Sequence, residues 1–166
     1  MPVATKIGQT TIRRLRPADL EAVIALDAKV TGRRRDEFFK LKLKSALAET
    51  GIEVSLAAET DGCFAGFLLA KVYYGEFGQP EMTAVLDTVG VHPDFRHLGV
   101  GHALMRQLYA NLAALGIRRL QTEVSWDEMG LLAFFKHEGF LPAPRLCLDR
   151  VIDPTTLETV RGAELA

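Results

Sequence analysis

The chain has 166 residues, of which 48% are hydrophobic and 25% are charged, as in soluble globular proteins. These values exclude disordered, collagen-like and low-complexity chains, and the length suits a single domain over residues 1–166. Twenty lysines and arginines against 21 aspartates and glutamates give a net charge of −1, which argues against nucleic-acid and polybasic membrane binding. Because we find neither an apolar secretory segment nor a run of about 18 apolar residues, we expect a cytoplasmic protein without a membrane span.

The first part of the chain predicts one strand followed by two helices. Thr11–Arg16 alternates weakly between apolar and polar residues, as an edge strand does. Pro17 opens a helix that Gly32 breaks, and a second helix runs from Asp36 until Gly51 ends it.

A hairpin and a buried strand come next. The extended runs Glu53–Glu59 and Cys63–Tyr73 are joined by Asp61-Gly62, where the glycine tolerates the positive φ of a tight turn. After a loop rich in glycine and proline, Thr83–Val91 has the apolar composition of a buried central strand.

The second half of the chain predicts a helix, a strand, a helix and a strand. Leucines at helical spacing favour a helix from Val100 to a glycine cap at Gly116, and Ile117–Ser125 is extended. A helix over Glu128–Glu138 and a last strand over Arg145–Ile152 complete the order β-α-α-β-β-β-α-β-α-β. This order predicts a mixed α/β domain in which about four helices flank a central mixed sheet.

The segment between the central strand and the next helix has a pattern suited to phosphate. In Arg96-x-x-Gly99-x-Gly101, two glycines precede a helix whose free N–H groups and positive dipole end favour an anion. By itself the pattern is equally compatible with a plain turn. The sequence contains no Gly-x-Gly-x-x-Gly, Gly-Lys-Ser/Thr or Gly-x-Ser-x-Gly motif.

Two sequence blocks together resemble the GNAT superfamily of N-acetyltransferases, over nearly the whole chain. The family's Arg/Gln-x-x-Gly-x-Gly/Ala block corresponds to Arg96–Gly101, and its Phe/Tyr-x-x-x-Gly-Phe block to Phe135–Phe140. The N-terminal run Ile12–Leu20 is also typical, and the ribosomal-protein-type N-terminal acetyltransferases are the nearest motif match. The resemblance implies a GNAT fold whose strands splay at an acetyl-CoA site.

The resemblance also implies the substrates and the residues that bind the acyl donor. Acetyl-CoA is the donor, and a primary amine of a protein or small molecule is the acceptor. The pyrophosphate is expected at the glycine-containing turn and the pantetheine arm along the end of the central strand. The implied donor-binding residues are Val89, Gly90, Val91, Arg96, His97, Leu98, Gly99, Val100, Gly101, His102, Ala103 and Phe135.

Two carboxylates are candidates for the general base. Glu123 falls where ribosomal-protein-type members carry their general-base glutamate, and Asp87 in the buried strand is its rival. Glu123 also fits a solvent-facing strand position or an ion pair. Many members carry a tyrosine acid at the position of Phe135 and an asparagine at that of Glu128, so this chain lacks the usual hydroxyl acid.

Several other residues have two interpretations. Tyr73, Tyr74 and Glu76 border the expected acceptor cleft, and Trp126 either walls that cleft or is structural. The run Arg33–Arg35 suits a CoA phosphate or an acidic acceptor, or is a solvated loop. The histidine spacing and the two cysteines predict no metal site, and we expect both cysteines to be small buried hydrophobes.

The missing tyrosine keeps an alternative function open. A chain that retains the phosphate turn but has Phe135 and Glu128 fits an acyl-CoA-binding sensor or regulatory module with little or no turnover. A structural or partner-binding protein with an empty fold is a third interpretation. The expected partners are acetyl-CoA and an amine acceptor, with no nucleic acid and no membrane, and a homodimer is left open.

Overall fold

A five-stranded sheet in the order β1-β2-β3-β4-β5 forms the centre of the computed structural model, which describes residues 9–48 and 54–152. Strands β1 to β4 pair antiparallel, and β5 pairs parallel to β4. The strands are β1 (Thr10–Arg14), β2 (Leu56–Thr60), β3 (Cys63–Tyr73), β4 (Thr83–Val91) and β5 (Leu120–Gln121).

Four α-helices cover the two faces of this sheet. They are α1 (Leu20–Thr31), α2 (Asp36–Ala48), α3 (Val100–Ala114) and α4 (Met129–His137). Gly32, with φ 80°, ends α1 as predicted, because a left-handed residue stops a helix at little cost when it is glycine. Short 3₁₀ turns lie at Pro17–Asp19, Glu76–Gly78 and Pro93–Phe95.

The core has one part on each face of the sheet. Phe67 and Leu69 of β3 pack with Phe39 and the apolar residues of α1 and α2. Leu68 and Ala70, which point to the opposite face, pack with the leucines of α3 and with Phe135 of α4. Burial on both faces explains why β3 is apolar almost throughout. The mixed α/β fold class is therefore confirmed.

Two predicted strands differ from the structure. The run Ile117–Ser125 is paired only at Leu120–Gln121, because the chain then diverges from β4. No strand is present at Arg145–Ile152 within the described residues, since nothing in that part of the structure pairs with it. The predicted end of the second helix at Gly51 and the predicted start of the next strand at Glu53 lie outside the described residues.

The expectation that both cysteines are buried is wrong, because Cys63 and Cys147 are exposed.

Candidate active site

Strands β4 and β5 separate at one end and leave an open edge. They pair at Ala84 with Leu120 and at Val85 with Gln121. Beyond these pairs, the Thr122 hydroxyl donates a hydrogen bond to the Leu86 carbonyl at 2.9 Å. Strand β4 continues to Val91 against β3, so its last residues have a strand on one side only within the described structure.

The backbone groups of Val89 and Val91 face this open edge. The His92 N–H donates to the Ala65 carbonyl on the β3 side at 2.8 Å. Because backbone groups point alternately to the two sides of a strand, those of Val89 and Val91 point away from β3. Gly90 lies between them, opposite Phe67. The edge therefore presents unpaired donors and acceptors to an extended ligand.

A bulge in β4 places Asp87 at the start of the open edge. Leu69 is opposite Thr88 and Ala70 is opposite Leu86, so Asp87 has no partner in β3. Its carboxylate accepts a hydrogen bond from Lys42 Nζ of α2 at 2.7 Å. Lys42 and Asp87 are 45 positions apart in the sequence, so no local pattern indicates this ion pair.

Glu123 lies on the chain that continues from β5, beyond the last pair of β5 with β4. It follows Gln121 by two residues, as Asp87 follows Val85, the partner of Gln121. The prediction placed Glu123 within a strand, but it lies beyond the end of β5 and is exposed. No hydrogen bond or ion pair of Glu123 is found within residues 9–48 and 54–152.

The glycine-containing turn forms the predicted helix N-terminus. His97 and Gly99 have φ values of 62° and 82°, and Gly99 is the residue before α3. The Ala103 N–H donates to the Gly99 carbonyl, whereas earlier N–H groups of a helix have no acceptor within it. Arg96, His97 and Leu98 are exposed around these groups. The arrangement suits a phosphate.

The structure changes the interpretation of Gly101. A Cβ at this position would lie 3.1 Å from Cε2 of Phe134 and 3.6 Å from Cγ2 of Val91. The missing side chain therefore allows α3 to pack closely on α4 and β4. Gly99 differs, because a Cβ there would meet nothing within 4 Å. The positive φ of Gly99 accounts for glycine at that position.

The first turn of α3 is tied to α4 through a buried carboxylate. Glu138 is 2% exposed at its side chain and lies 2.7 Å from His102 Nδ1. The Tyr109 hydroxyl donates to its other oxygen at 3.2 Å. Burial, together with the negative charge of Glu138, raises the pKa of Tyr109. Glu138 was not among the predicted site residues, because its only distinguishing feature in the sequence is a charge at the end of an apolar helix.

Phe135 is a core residue, 4% exposed, among the apolar residues of α3 and α4. Its ring centroid lies 5.3 Å from that of Phe134 and 5.0 Å from that of Phe140. The side chain has no hydroxyl and cannot donate a proton. Glu128, the other departure from the family pattern, precedes α4 and makes no side-chain capping bond.

A cavity of about 320 Å³ lies between β4, β5 and the loop after β3. Its lining residues are Tyr73, Phe77, Gln79, Thr83, Val85, Gln121 and Arg145. Tyr73 thus lines this cavity, whereas Tyr74 and Trp126 are exposed outside the lining. The side chain of Glu76 lies outside the described part of the structure.

The arginine run is largely held by carboxylates on helices α1 and α2. Arg34 contacts Glu21 and Asp36, and Arg35 forms two hydrogen bonds to Asp27. These contacts favour a structural loop.

Within the described residues, no group of three or more His, Cys, Asp or Glu side chains could hold a metal ion. No helix among these residues is long and apolar enough to cross a membrane.

Comparison with known proteins identifies the family. The family model described as Acetyltransferase (GNAT) family matches residues 19–140, which include the open edge, the turn and α4. The chain belongs to this acetyltransferase family. The predicted resemblance to the GNAT family is therefore confirmed.

Relatives of known sequence or structure agree with this assignment. An uncharacterized N-acetyltransferase, ycf52 of Porphyra purpurea, is 30% identical over 105 residues, 62% of this chain and 55% of that protein. The chain thus spans about half the length of this curated relative. Aminoglycoside N-acetyltransferase AAC(6')-Iy in complex with CoA has a TM-score of 0.73 at 20% identity, covering 90% of this chain and 99% of that one. The ribosomal-protein-S18-alanine N-acetyltransferase from Escherichia coli has a TM-score of 0.67 at 22% identity, covering 81% and 79%. The structural matches show the shared GNAT fold.

Proposed function

We propose that this acetyltransferase moves the acetyl group of acetyl-CoA directly to a primary amine of a protein or small molecule, with Glu123 as the general base. The observation that carries the proposal is the open edge of β4. It runs from Asp87, just beyond the last pair of β4 with β5, toward the glycine-containing turn before α3. An extended donor on this edge would have its phosphates at the turn and its thioester near the carboxylates.

The residues of the edge and turn fit such a donor. Acetyl-CoA supplies the activated thioester carbonyl when it is bound. The N–H groups at the start of α3 are suited to the pyrophosphate, and the backbone groups of Val89 and Val91 to the amides of the pantetheine arm. A backbone N–H of the same edge would polarise the carbonyl as negative charge develops on its oxygen.

Glu123 is better suited than Asp87 to accept the proton of the amine, because its carboxylate has no partner in the described structure. Asp87 is held in an ion pair by Lys42 at 2.7 Å, so its carboxylate already has a partner. Glu123 has no such partner in the described structure and is exposed next to the cavity residue Gln121. During transfer the amine nitrogen forms a bond to the carbonyl carbon, the carbon–sulfur bond breaks, and the amine proton passes to Glu123.

The leaving group does not require the missing tyrosine. A thiol with a pKa of about 8.5 leaves as thiolate at a cost of about 2 kcal/mol at pH 7. A lysine-like amine with a pKa near 10.4 costs about 4.6 kcal/mol to deprotonate, and an α-amine near 7.8 costs about 1 kcal/mol. A general base therefore lowers the barrier more than a general acid for the thiolate would. Its contribution is largest for lysine-like or polyamine acceptors.

The test measures thiol release from acetyl-CoA with a panel of amines. In Glu123→Gln, kcat/KM for a lysine-like acceptor should fall about 10²–10⁴-fold while acetyl-CoA affinity stays the same. The loss should shrink as the pH rises, because more of the amine is then neutral. Glu37→Gln, the same change at an exposed carboxylate on α2, is the matched control and should keep wild-type activity.

Two results would contradict the proposal in different ways. Full activity of Glu123→Gln together with an inactive Asp87→Asn would make Asp87 the base. Tight binding of acetyl-CoA without thiol release for any amine in the panel would favour the sensor interpretation, which the phenyl ring of Phe135 supports.

A further inference from the structure

The cavity between β4, β5 and the loop after β3 has a single charged residue, Arg145, in its described lining. The other described lining residues are aromatic, aliphatic or uncharged polar, and none of them carries a carboxylate. The Arg145 side chain has no hydrogen bond or ion pair within residues 9–48 and 54–152. By contrast, Arg13 and Arg35 are each held by an aspartate. An unpaired guanidinium on such a wall is suited to an anionic ligand, because its donors match the two oxygens of a carboxylate.

Two aromatic side chains give the same cavity an apolar wall. Tyr73 is 38% exposed and Phe77 is 90% exposed, and both line the cavity. The backbone of Phe77 has a φ of 50°, a left-handed conformation that is unfavourable for a residue with a Cβ. A large apolar ring that an unfavourable backbone conformation holds in solvent is expected where a ligand covers it. This wall is therefore suited to the hydrocarbon part of a ligand.

The cavity lies beside the chain that carries the proposed base. Gln121 lines it, and Glu123 follows two residues later, so the Cα atoms of these residues are at most about 7 Å apart. The cavity volume of about 320 Å³ is near the lower end of the range for ligand sites, about 300–1,000 Å³. The size suits a molecule as small as an amino acid.

We propose that the acceptor is a small amine that carries a carboxylate and an apolar side chain, as an apolar amino acid does. The inference rests on the proposed function, because it names the acceptor class of that same site. Arg145 binds the carboxylate, Tyr73 and Phe77 contact the apolar side chain, and the amine faces Glu123. A single guanidinium balances one negative charge, which favours a carboxylate over a phosphate group with a charge of about −2.

The transfer step is that of the proposed function and leaves the carboxylate unchanged. The amine nitrogen bonds to the acetyl carbonyl carbon, the carbon–sulfur bond breaks, and the amine proton passes to Glu123. The products are the N-acetyl amino acid and CoA. The negative carboxylate raises the pKa of the neighbouring amine, so this class of acceptor also benefits from a general base.

The same lining disfavours polycationic acceptors. A polyamine brings a second ammonium group, for which the described lining offers no carboxylate. Arg145 repels that second charge, and an unpaired or repelled charge is the usual means by which a site rejects a competing ligand. The cavity therefore separates amines that carry an anion from amines that carry only positive charge.

Thiol release from acetyl-CoA with matched acceptors tests the inference. The pairs are phenylalanine and methionine against their primary amides, with cadaverine as the acceptor that has only positive charge. In the wild type, kcat/KM should be about 10–100-fold higher for each acid than for its amide. The amide has the less basic amine, because it lacks the negative carboxylate, so amine basicity does not produce this preference.

Substitution of Arg145 should remove the preference. Arg145→Gln should lower kcat/KM for the acids about ten-fold or more while that for the amides stays nearly the same. Arg145→Glu should raise kcat/KM for cadaverine above the wild-type value. Arg150→Gln, the same change at an exposed arginine outside the lining, should keep the wild-type preference. Phe77→Ala should reduce the advantage of phenylalanine over glycine and keep the preference for acid over amide.

The outcomes separate this inference from the proposed function. A wild type that uses the amides or cadaverine as well as the acids would overturn the inference, and so would a preference that survives Arg145→Gln. Failure of every amine to release thiol would contradict the proposed function instead. Calorimetric titration of phenylalanine into protein saturated with CoA then decides. Binding that Arg145→Gln weakens about ten-fold supports the carboxylate site, whereas no binding, or equal binding by the variant, overturns it.

Discussion

At the residue scale, the pair formed by Arg13 and Asp19 links the start of the sheet to the start of α1. Arg13 Nη1 and Nη2 donate to the two carboxylate oxygens at 2.7 and 2.8 Å, and the Arg16 N–H donates at 2.7 Å. The hydrogen bonds from Arg13, aided by that of Arg16 and opposed by burial, hold the pKa of Asp19 below its usual range. The sequence shows both residues but not this pairing.

A lowered pKa in the folded state predicts how stability depends on pH. The contribution of Asp19 to the free energy of unfolding is fully present above its pKa in the unfolded chain, about 3.9. It disappears as the pH falls through the lower pKa of the folded state. Asp19→Asn should therefore lose about 1–3 kcal/mol at pH 7, and its difference from the wild type should narrow below about pH 4. Urea unfolding at several pH values measures both effects. Asp61→Asn, in an exposed turn, is the control, and an equal loss there would refute the assignment.

The buried carboxylate of Glu138 gives a second prediction at this scale. Glu138→Ala leaves His102 and Tyr109 without their partner at the α3–α4 contact, so the protein should lose about 1–3 kcal/mol of stability. Glu138→Gln keeps the shape and an acceptor and should lose less. Urea unfolding measures the order of the variants. The adjacent exposed His137→Ala should change stability by no more than about 0.5 kcal/mol.

At the element scale, the start of α3 allows a charge test of the phosphate turn. Leu98 is exposed next to the free N–H groups. Leu98→Asp adds a negative charge beside the proposed pyrophosphate position, which should weaken acetyl-CoA binding about ten-fold, or about 1.4 kcal/mol. Leu98→Asn has the same size without the charge and should bind normally. Calorimetric titration with CoA measures both, and equal affinities would place the phosphates elsewhere.

The element boundaries show which parts of the fold can be predicted from the sequence. Helix α3 and strands β3 and β4 begin where predicted, because their apolar spacing and flanking glycines are local signals. The extent of β5 depends on where its path leaves β4, a tertiary property that no local pattern contains. Gly101 is a similar case: the motif indicates a phosphate turn, but the contact with Phe134 appears only when α3 and α4 are packed.

At the scale of the whole molecule, the open edge of β4 and the phosphate turn lie on elements that the sequence predicts. Their role could be anticipated from the Arg96–Gly101 block, because the order strand, turn, helix is local. The ion pair of Asp87 with Lys42 was not predictable, since it depends on how α2 packs on the sheet. The proposal of Glu123 rather than Asp87 as base therefore rests on a contact that the sequence does not reveal.

The cavity beside β5 gives the last prediction, because residues that are far apart in the sequence meet there. Arg145 lines this cavity together with Tyr73 and Gln121. If the amine binds in the cavity, Arg145→Ala should raise KM for the amine several-fold, because the substitution removes part of the wall that positions the acceptor. Calorimetry should show an unchanged CoA affinity. Arg150→Ala, the same change at an exposed arginine outside the lining, should follow the wild type. An Arg145→Ala enzyme with the wild-type KM for every amine would place the acceptor elsewhere.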